Sequence, residues 1–208
     1  MKKPLALVFD LGNVLLPIDL DKTYEAFAFL SNKYSASEIK QITQSEALWS
    51  AYEAGLQNDE AFKLFLGERL ELDCTSEQFH SAFNALLLQF DESLCQYIKG
   101  LKSKWPIYLL SNTSRLHSNL FLQTNFPNYN IFDAFTRVHL SFEMGVVKPD
   151  ESIYLQLVQE NHLSDYHIIF FDDNLSNIES ARNFGWEAIL IDPNKSLHQI
   201  QQHINSLC

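Results

Sequence analysis

The chain has 208 residues, 46% of them apolar, enough for a packed core and too apolar for a disordered segment. Its 15 basic and 26 acidic side chains leave a formal charge of −11, which disfavours nucleic acid and anionic membrane as partners. The same field repels a phosphorylated ligand unless local donors or a metal ion reverse its sign. Three cysteines, Cys74, Cys95 and Cys208, with no CxxC pair, argue against a disulfide framework or a zinc site and point to a reducing, cytoplasmic compartment.

In chain order, "MKKPLALVFD" imitates a leader peptide, but the apolar run 5–9 is too short for one and reads as a first core strand. No stretch approaches the roughly 18 apolar residues of a membrane span. The strand ends on Asp10, followed by Leu11, Gly12 and Asn13. Residues 18–88 then read as amphipathic helices: "DKTYEAFAFLSNKY", "ASEIKQITQSEALWSAYEAG", "NDEAFKLFLGERLEL" and "TSEQFHSAFNALLLQF". Asn58-Asp59 and Thr75-Ser76 look like helix starts and Gly55 like a stop. No strand candidate interrupts them.

Beyond that stretch strands and helices alternate. Strands are predicted at 106–110, 136–140, 167–171 and 187–191, and helices at 92–102, 151–160, 175–184 and 196–207. This alternation predicts an α/β fold: a doubly wound, Rossmann-like parallel sheet formed by 1–17 and 89–208, with an inserted α-helical cap over 18–88.

Ligands of such sheets bind at the carboxyl ends of the strands. There the sequence places Asp10 after the first strand, Ser111-Asn112-Thr113 after "PIYLL", Lys148-Pro149 beyond the third, and Asp172-Asp173 after "HIIFF". Each has an ordinary reading alone, as a helix cap, a solvated lysine or a turn. Together they meet the needs of phosphoryl transfer. A carboxylate such as Asp10 can attack phosphorus and form an acyl phosphate. Carboxylate and phosphate repel, so a cation must lie between them, and Mg²⁺ takes one or two carboxylates plus substrate oxygens. Asp10 and Asp173 can supply those. The Ser111 hydroxyl, the backbone N–H of Asn112 at a helix start and the Lys148 ammonium can hold the remaining phosphate charge.

These segments, "FDLGN", "LLSNTSRLH", "VVKPDESIY" and "FFDDNLSNIESA", resemble the haloacid dehalogenase superfamily, specifically its phosphatases with a helical cap after the first motif. Within it they are similar to bacterial phosphatases acting on α-D-glucose 1-phosphate, down to the final "LC". The resemblance implies that Asp10 is nucleophile and Mg²⁺ ligand, that Ser111 and Asn112 hold the phosphoryl oxygens, and that Lys148 pairs with nucleophile and phosphate. It further implies Asp173 as direct metal ligand, with Asn177 as its outer partner. Asp172 is left as a more distant support or a lysine partner.

Gly12 departs from the pattern. Most such phosphatases carry a second aspartate there, which protonates the leaving alcohol and later activates water. The Gly12 backbone carbonyl can still ligate Mg²⁺. A missing general acid costs ~10²–10⁴ in rate. Either another group substitutes (a water, Asp19 or a cap residue), or the enzyme is slow, or the leaving group is a good one, such as an anomeric hydroxyl.

Other positions stay open between structural and functional roles. Asn13 is a turn residue or orients the site loop, and Arg115 is a surface charge or approaches substrate. His117 reads as structural, and Glu53 as solvent-facing, with contact to sugar hydroxyls as its alternative. The expected activity is that of a Mg²⁺-dependent phosphatase of a small phosphorylated metabolite. The alternatives are a 2-haloacid dehalogenase, or a catalytically weak binding or regulatory protein of the same fold.

Overall fold

The computed structural model describes residues 3–44, 46–126 and 129–207. Cys208 therefore lies outside the described residues. The chain opens with β1 (Leu5–Phe9) and continues through α1 (Leu20–Leu30), α2 (Ala36–Thr43), α3 (Glu46–Glu53), α4 (Asp59–Leu70) and α5 (Ser76–Phe83). Next come α6 (Glu92–Leu101), β2 (Ile107–Ser111), α7 (Arg115–Phe121), β3 (Asn125–Phe126), β4 (Tyr129–Asn130) and β5 (Arg137–Leu140). The chain then forms α8 (Ser141–Met144), α9 (Glu151–Glu160), β6 (His167–Asp172), α10 (Leu175–Asn183), β7 (Glu187–Leu190) and α11 (Ser196–Asn205). Among the described residues no helix is long and apolar enough to cross a membrane.

Five strands form one parallel sheet in the order β5-β2-β1-β6-β7, the α/β doubly wound arrangement expected. The connection leaves β1 for β2 on one side and later places β6 on its other side. The carboxyl end of β1 is thus the switch point where such sheets bind ligands. The central strands are buried on both faces, which is why they read as near-continuous apolar runs. Leu7, Phe9, Ile107, Leu109, Ile169 and Phe171 face one layer with α6 and α11. Ala6, Val8, Tyr108, Leu110, Ile168 and Phe170 face the other with α9 and α10. A fully buried Leu, Ile or Phe contributes about 1.5–3 kcal/mol over an exposed one, so the period-2 pattern sets the strand register strongly.

Helices α1 to α5 build a separate apolar cluster around Phe27, Phe62, Phe79 and Phe83, joined by Leu116 from α7. The two chain segments leading to and from them meet in an antiparallel bridge between Ile18 and Leu87. Helix starts follow local chemistry. Asn58 accepts from the Ala61 N–H, and Ser35 and Thr75 form reciprocal capping boxes with Glu38 and Gln78.

The sequence reading ran several helices too far. "ASEIKQITQSEALWSAYEAG" is two helices, α2 and α3, and the last predicted cap helix stops at Phe83, followed by a single 3-10 turn at 84–86. The stretch before β5 holds a short β3–β4 hairpin and a 3-10 turn over 131–134 that periodicity did not reveal.

Two contacts tie the cap helices to the sheet layer. Beyond α3, Gly55 adopts a left-handed φ of +69°, and a Cβ there would collide with the carbonyl oxygen of Phe142 in α8. On α7, His117 is buried, stacks on Phe83 at 4.2 Å between ring centroids and is bonded through Nδ1 to Asn84 Oδ1 at 2.9 Å. Burial pushes the His117 imidazole down to about 3.

Gly55→Ala combines left-handed strain with that collision and should cost on the order of 2 kcal/mol or more, read as a lower urea midpoint. For His117, the unfolded chain binds the proton near pH 6.5 and the folded chain resists it. Stability is therefore full above that pH and falls as pH drops toward 3. His117→Gln should flatten the dependence of unfolding free energy on pH between about 6.5 and 4.5, where the wild type loses on the order of 2–3 kcal/mol. Equal slopes in the two proteins would disprove the assignment.

Candidate active site

Strand register assembles the site. Phe9 pairs with Leu109 of β2 and Phe171 of β6, so the next residues, Asp10, Leu110 and Asp172, end their strands side by side. The Asp10 N–H donates to the Phe171 carbonyl at 2.9 Å, and the Phe9 and Phe171 rings stack at 4.9 Å beneath them.

Lys148 closes this edge. Its Nζ donates to Asp10 Oδ1 at 2.7 Å, Asp172 Oδ2 at 2.7 Å and the Leu110 carbonyl at 2.9 Å, satisfying all three ammonium protons. Asn112 holds the loop that carries it. The Asn112 Nδ2 donates to the Lys148 carbonyl and the Lys148 N–H donates to Asn112 Oδ1, both at 2.8 Å.

Asp172 is fully buried, and its oxygens are shared among Lys148, the Asn177 amide at 3.1 Å and the Asn174 N–H at 2.8 Å. Asp173 is less enclosed and accepts from Asn13 Nδ2 at 3.0 Å. Asn13 holds a left-handed φ of 57° and receives the Ile18 N–H on its Oδ1, so it is both turn residue and site-loop anchor.

The electrostatics are unbalanced. Carboxylate oxygens of Asp10, Asp172 and Asp173 lie within 4.8 Å of one another, and one ammonium faces them. Burial pushes the Asp10 carboxyl up to about 7 even though Lys148 pulls it down. Burial also raises Asp173, against the Asn13 hydrogen bond. For Lys148 burial works against the charge, but Asp10 and Asp172 more than reverse it and hold the ammonium above its usual range. An excess of buried negative charge built from hard oxygen donors fits Mg²⁺. Asp172 is saturated by hydrogen bonds, which leaves Asp10 and Asp173 as the carboxylates with capacity for a cation.

Of the residues singled out by sequence, Asp10, Ser111, Asn112, Lys148, Asp172, Asp173 and Asn177 converge on this edge, with Gly12 in the adjoining loop. Three details differ. Asn177 bonds Asp172, not Asp173, because helix α10 turns its amide back toward the strand end. Asn112 is not at a helix start: Ser114 caps α7, and the Asn112 side chain serves the lysine loop. Glu53 does not face solvent. It is partly buried and lines a cavity beside the site. Arg115 is exposed and lies over the Phe142 ring at 5.1 Å. Asp19 is spent as the N-cap of α1.

One residue was missed. Ser141, fully buried at the end of β5, accepts from the Thr113 N–H at 2.9 Å and sits 2.6 Å from the Glu53 carbonyl. Its signal in the sequence was weak: a serine directly after the mixed strand Arg137–Leu140.

The cavity, about 330 Å³, lies between the sheet edge and the cap. Gly12, Ser111, Asn112 and Thr113 line it together with Ile18, Tyr24, Trp49 and Glu53. A Cβ at Gly12 would meet only Ile18 Cδ1, at 3.5 Å, so no backbone or packing constraint requires glycine there.

The chain is 28% identical over 183 residues to the D-ribitol-5-phosphate phosphatase of Bacteroides thetaiotaomicron, covering 87% of this chain and 88% of that one. A haloacid-dehalogenase-family enzyme of that organism, solved in complex with magnesium and inorganic phosphate, superposes with a TM-score of 0.84 at 23% identity, covering 95% of this chain and 98% of that one. The L-2-haloacid dehalogenase of Xanthobacter autotrophicus shares the fold more loosely, with a TM-score of 0.60 at 19% identity over 92% of this chain and 78% of that one. The sequence profile of the family described as "hydrolase: haloacid dehalogenase-like hydrolase" matches residues 5–185, and with the strand-edge site just described the chain belongs to the haloacid dehalogenase-like hydrolases.

Proposed function

We propose that this hydrolase is a magnesium-dependent phosphatase of a small phosphorylated metabolite, a sugar or polyol phosphate, and that Asp10 is its nucleophile. The observation that carries the reading is the Asp10–Lys148–Asp172 chain with Asp173 beside it. An Asp10 oxygen attacks phosphorus, the bond to the leaving oxygen breaks, and an aspartyl phosphate forms that water then hydrolyses. Lys148 orients Asp10 and favours its charged form, offsetting part of the burial that raises its carboxyl. The Ser111 hydroxyl and the Asn112 N–H hold the transferred phosphoryl oxygens. Asp10, Asp173 and the Gly12 carbonyl would hold Mg²⁺, with Asp172 and Asn177 supporting them from behind. Magnesium, when bound, neutralises the repulsion between carboxylate and phosphate dianion.

Residues 18–88 form the cap domain that selects the leaving group, and the remainder forms the core. The substrate is drawn from one chemical class by two supports. The motif resemblance favours a sugar 1-phosphate such as glucose 1-phosphate, and the ribitol-5-phosphate phosphatase favours a polyol phosphate. Both are compact phosphate monoesters with hydroxyls. A 2-haloacid dehalogenase displaces halide without a metal, whereas three clustered carboxylates facing one ammonium favour a site that holds a cation.

A panel of phosphorylated sugars and polyols should give turnover that EDTA lowers by at least ~10²-fold and added Mg²⁺ restores. Asp10→Asn, which keeps shape but removes the nucleophile, should leave no detectable turnover. Halide release from a 2-haloacid in EDTA, or binding without any turnover, would replace this reading.

A further inference from the structure

Cleaving an unactivated phosphate ester expels an alkoxide, which needs a proton as it leaves, and the site must contain a group able to give one. The ionisable side chains at hand are few. Asp10 attacks. Asp172 is saturated by Lys148, Asn174 and Asn177. Asp173 stands on the metal side with Asn13. The Lys148 ammonium has all three protons committed. His117 is buried and bonded to Asn84. Gly12 has no side chain, although its surroundings leave room for one.

Glu53 remains. It lines the same cavity as Gly12, Ser111 and Asn112. Its carboxylate has no hydrogen-bond partner among the described residues. Its backbone, by contrast, is fixed onto the core. The Ser141 hydroxyl sits 2.6 Å from its carbonyl, and two residues on, Gly55 packs against the Phe142 carbonyl. The fold thus fixes the main chain at the end of α3 and leaves one carboxyl uncommitted on a residue that lines the cavity beside Ser111 and Asn112.

We propose that Glu53 is the proton donor to the leaving group and, in the second half-reaction, the base that activates water; this rests on the phosphatase reading above. As an Asp10 oxygen bonds to phosphorus and the ester P–O bond breaks, the Glu53 carboxyl gives its proton to the leaving oxygen and becomes carboxylate. Water then attacks the aspartyl phosphate, its proton passes to Glu53, and the P–O bond to Asp10 breaks. Phosphate leaves, and both side chains return to their starting forms.

The protonation state is suitable. Burial pushes the Glu53 carboxyl up to about 7, against the pull of Lys148, so both forms are populated near neutral pH. Tyr24 on α1 and His117 on α7 are the other titratable groups lining the same cavity.

Glu53→Gln separates this role from a structural one when an alkyl phosphate (glycerol 1-phosphate) and an aryl phosphate (p-nitrophenyl phosphate) are compared with Mg²⁺ present. With the alkyl ester the variant should lose at least ~10²-fold in kcat, and no phosphoenzyme should accumulate, because the first step is slowed. With the aryl ester, whose phenolate leaves without help, the variant should show a burst of nitrophenol followed by slow turnover, with acid-quenched phosphoenzyme accumulating. Gly12→Asp added to Glu53→Gln should recover at least tenfold on the alkyl ester by returning an acid to the cavity. Equal losses on both esters with no burst and no recovery would overturn the assignment while leaving the phosphatase reading intact. Absence of wild-type turnover on both esters would overturn both.

Discussion

The site depends on one buried cation. Lys148 sits between Asp10 and Asp172 and against the Leu110 carbonyl, joining the ends of β1, β2 and β6 through a single ammonium. Desolvating these charges costs several kcal/mol per ion, and the arrangement persists because every proton of the ammonium has an acceptor. The lysine reaches this position only because Asn112 bonds both the N–H and the carbonyl of its backbone. A residue read as a phosphate donor therefore also places the cation. The apolar layers on both sheet faces set the register that makes the three strand ends level, so core packing and chemistry are coupled through alternation along β1, β2 and β6.

The second constraint is charge. Three carboxylates face one ammonium in a chain whose net charge is already −11. A phosphate dianion entering such a site meets repulsion unless a divalent ion offsets it. The hydrogen bonds divide the acids into roles: Asp172 is closed off by Asn177, Asn174 and Lys148, whereas Asp10 and Asp173 keep coordinating capacity. Two adjacent aspartates of identical chemistry thus serve different purposes because strand pleating turns one into the sheet edge and the other toward the Asn13 loop.

Helices α1 to α5 join the rest of the chain through directional contacts as well as through Leu116 of α7 in their apolar cluster. Ser141 reaches the Glu53 carbonyl, Gly55 fits against Phe142, and His117 stacks on Phe83. Glu53 and His117 also line the cavity beside the strand edge, whereas Gly55 and Phe142 line a neighbouring one.

Sequence alone was sufficient for the alternation of strands and helices, the helical character of 18–88, and the polar residues following β1, β2 and β6. These are local properties: period-2 burial, helix caps and abrupt ends of apolar runs are written in neighbouring residues. It was not sufficient for the break between α2 and α3, the β3–β4 hairpin or the early end of α5, where packing overrides weak periodicity. Nor did it indicate that Asn177 serves Asp172, that Asn112 latches Lys148, or that Ser141 borders the site, and it offered Glu53 there only as an alternative to a solvent-facing residue. Two of those pairings join residues 36 and 88 positions apart, and the third, 5 apart, depends on how α10 is turned against β6. Only tertiary structure decides them, because a hydrogen bond depends on where two backbones have been brought by the packing of everything between them.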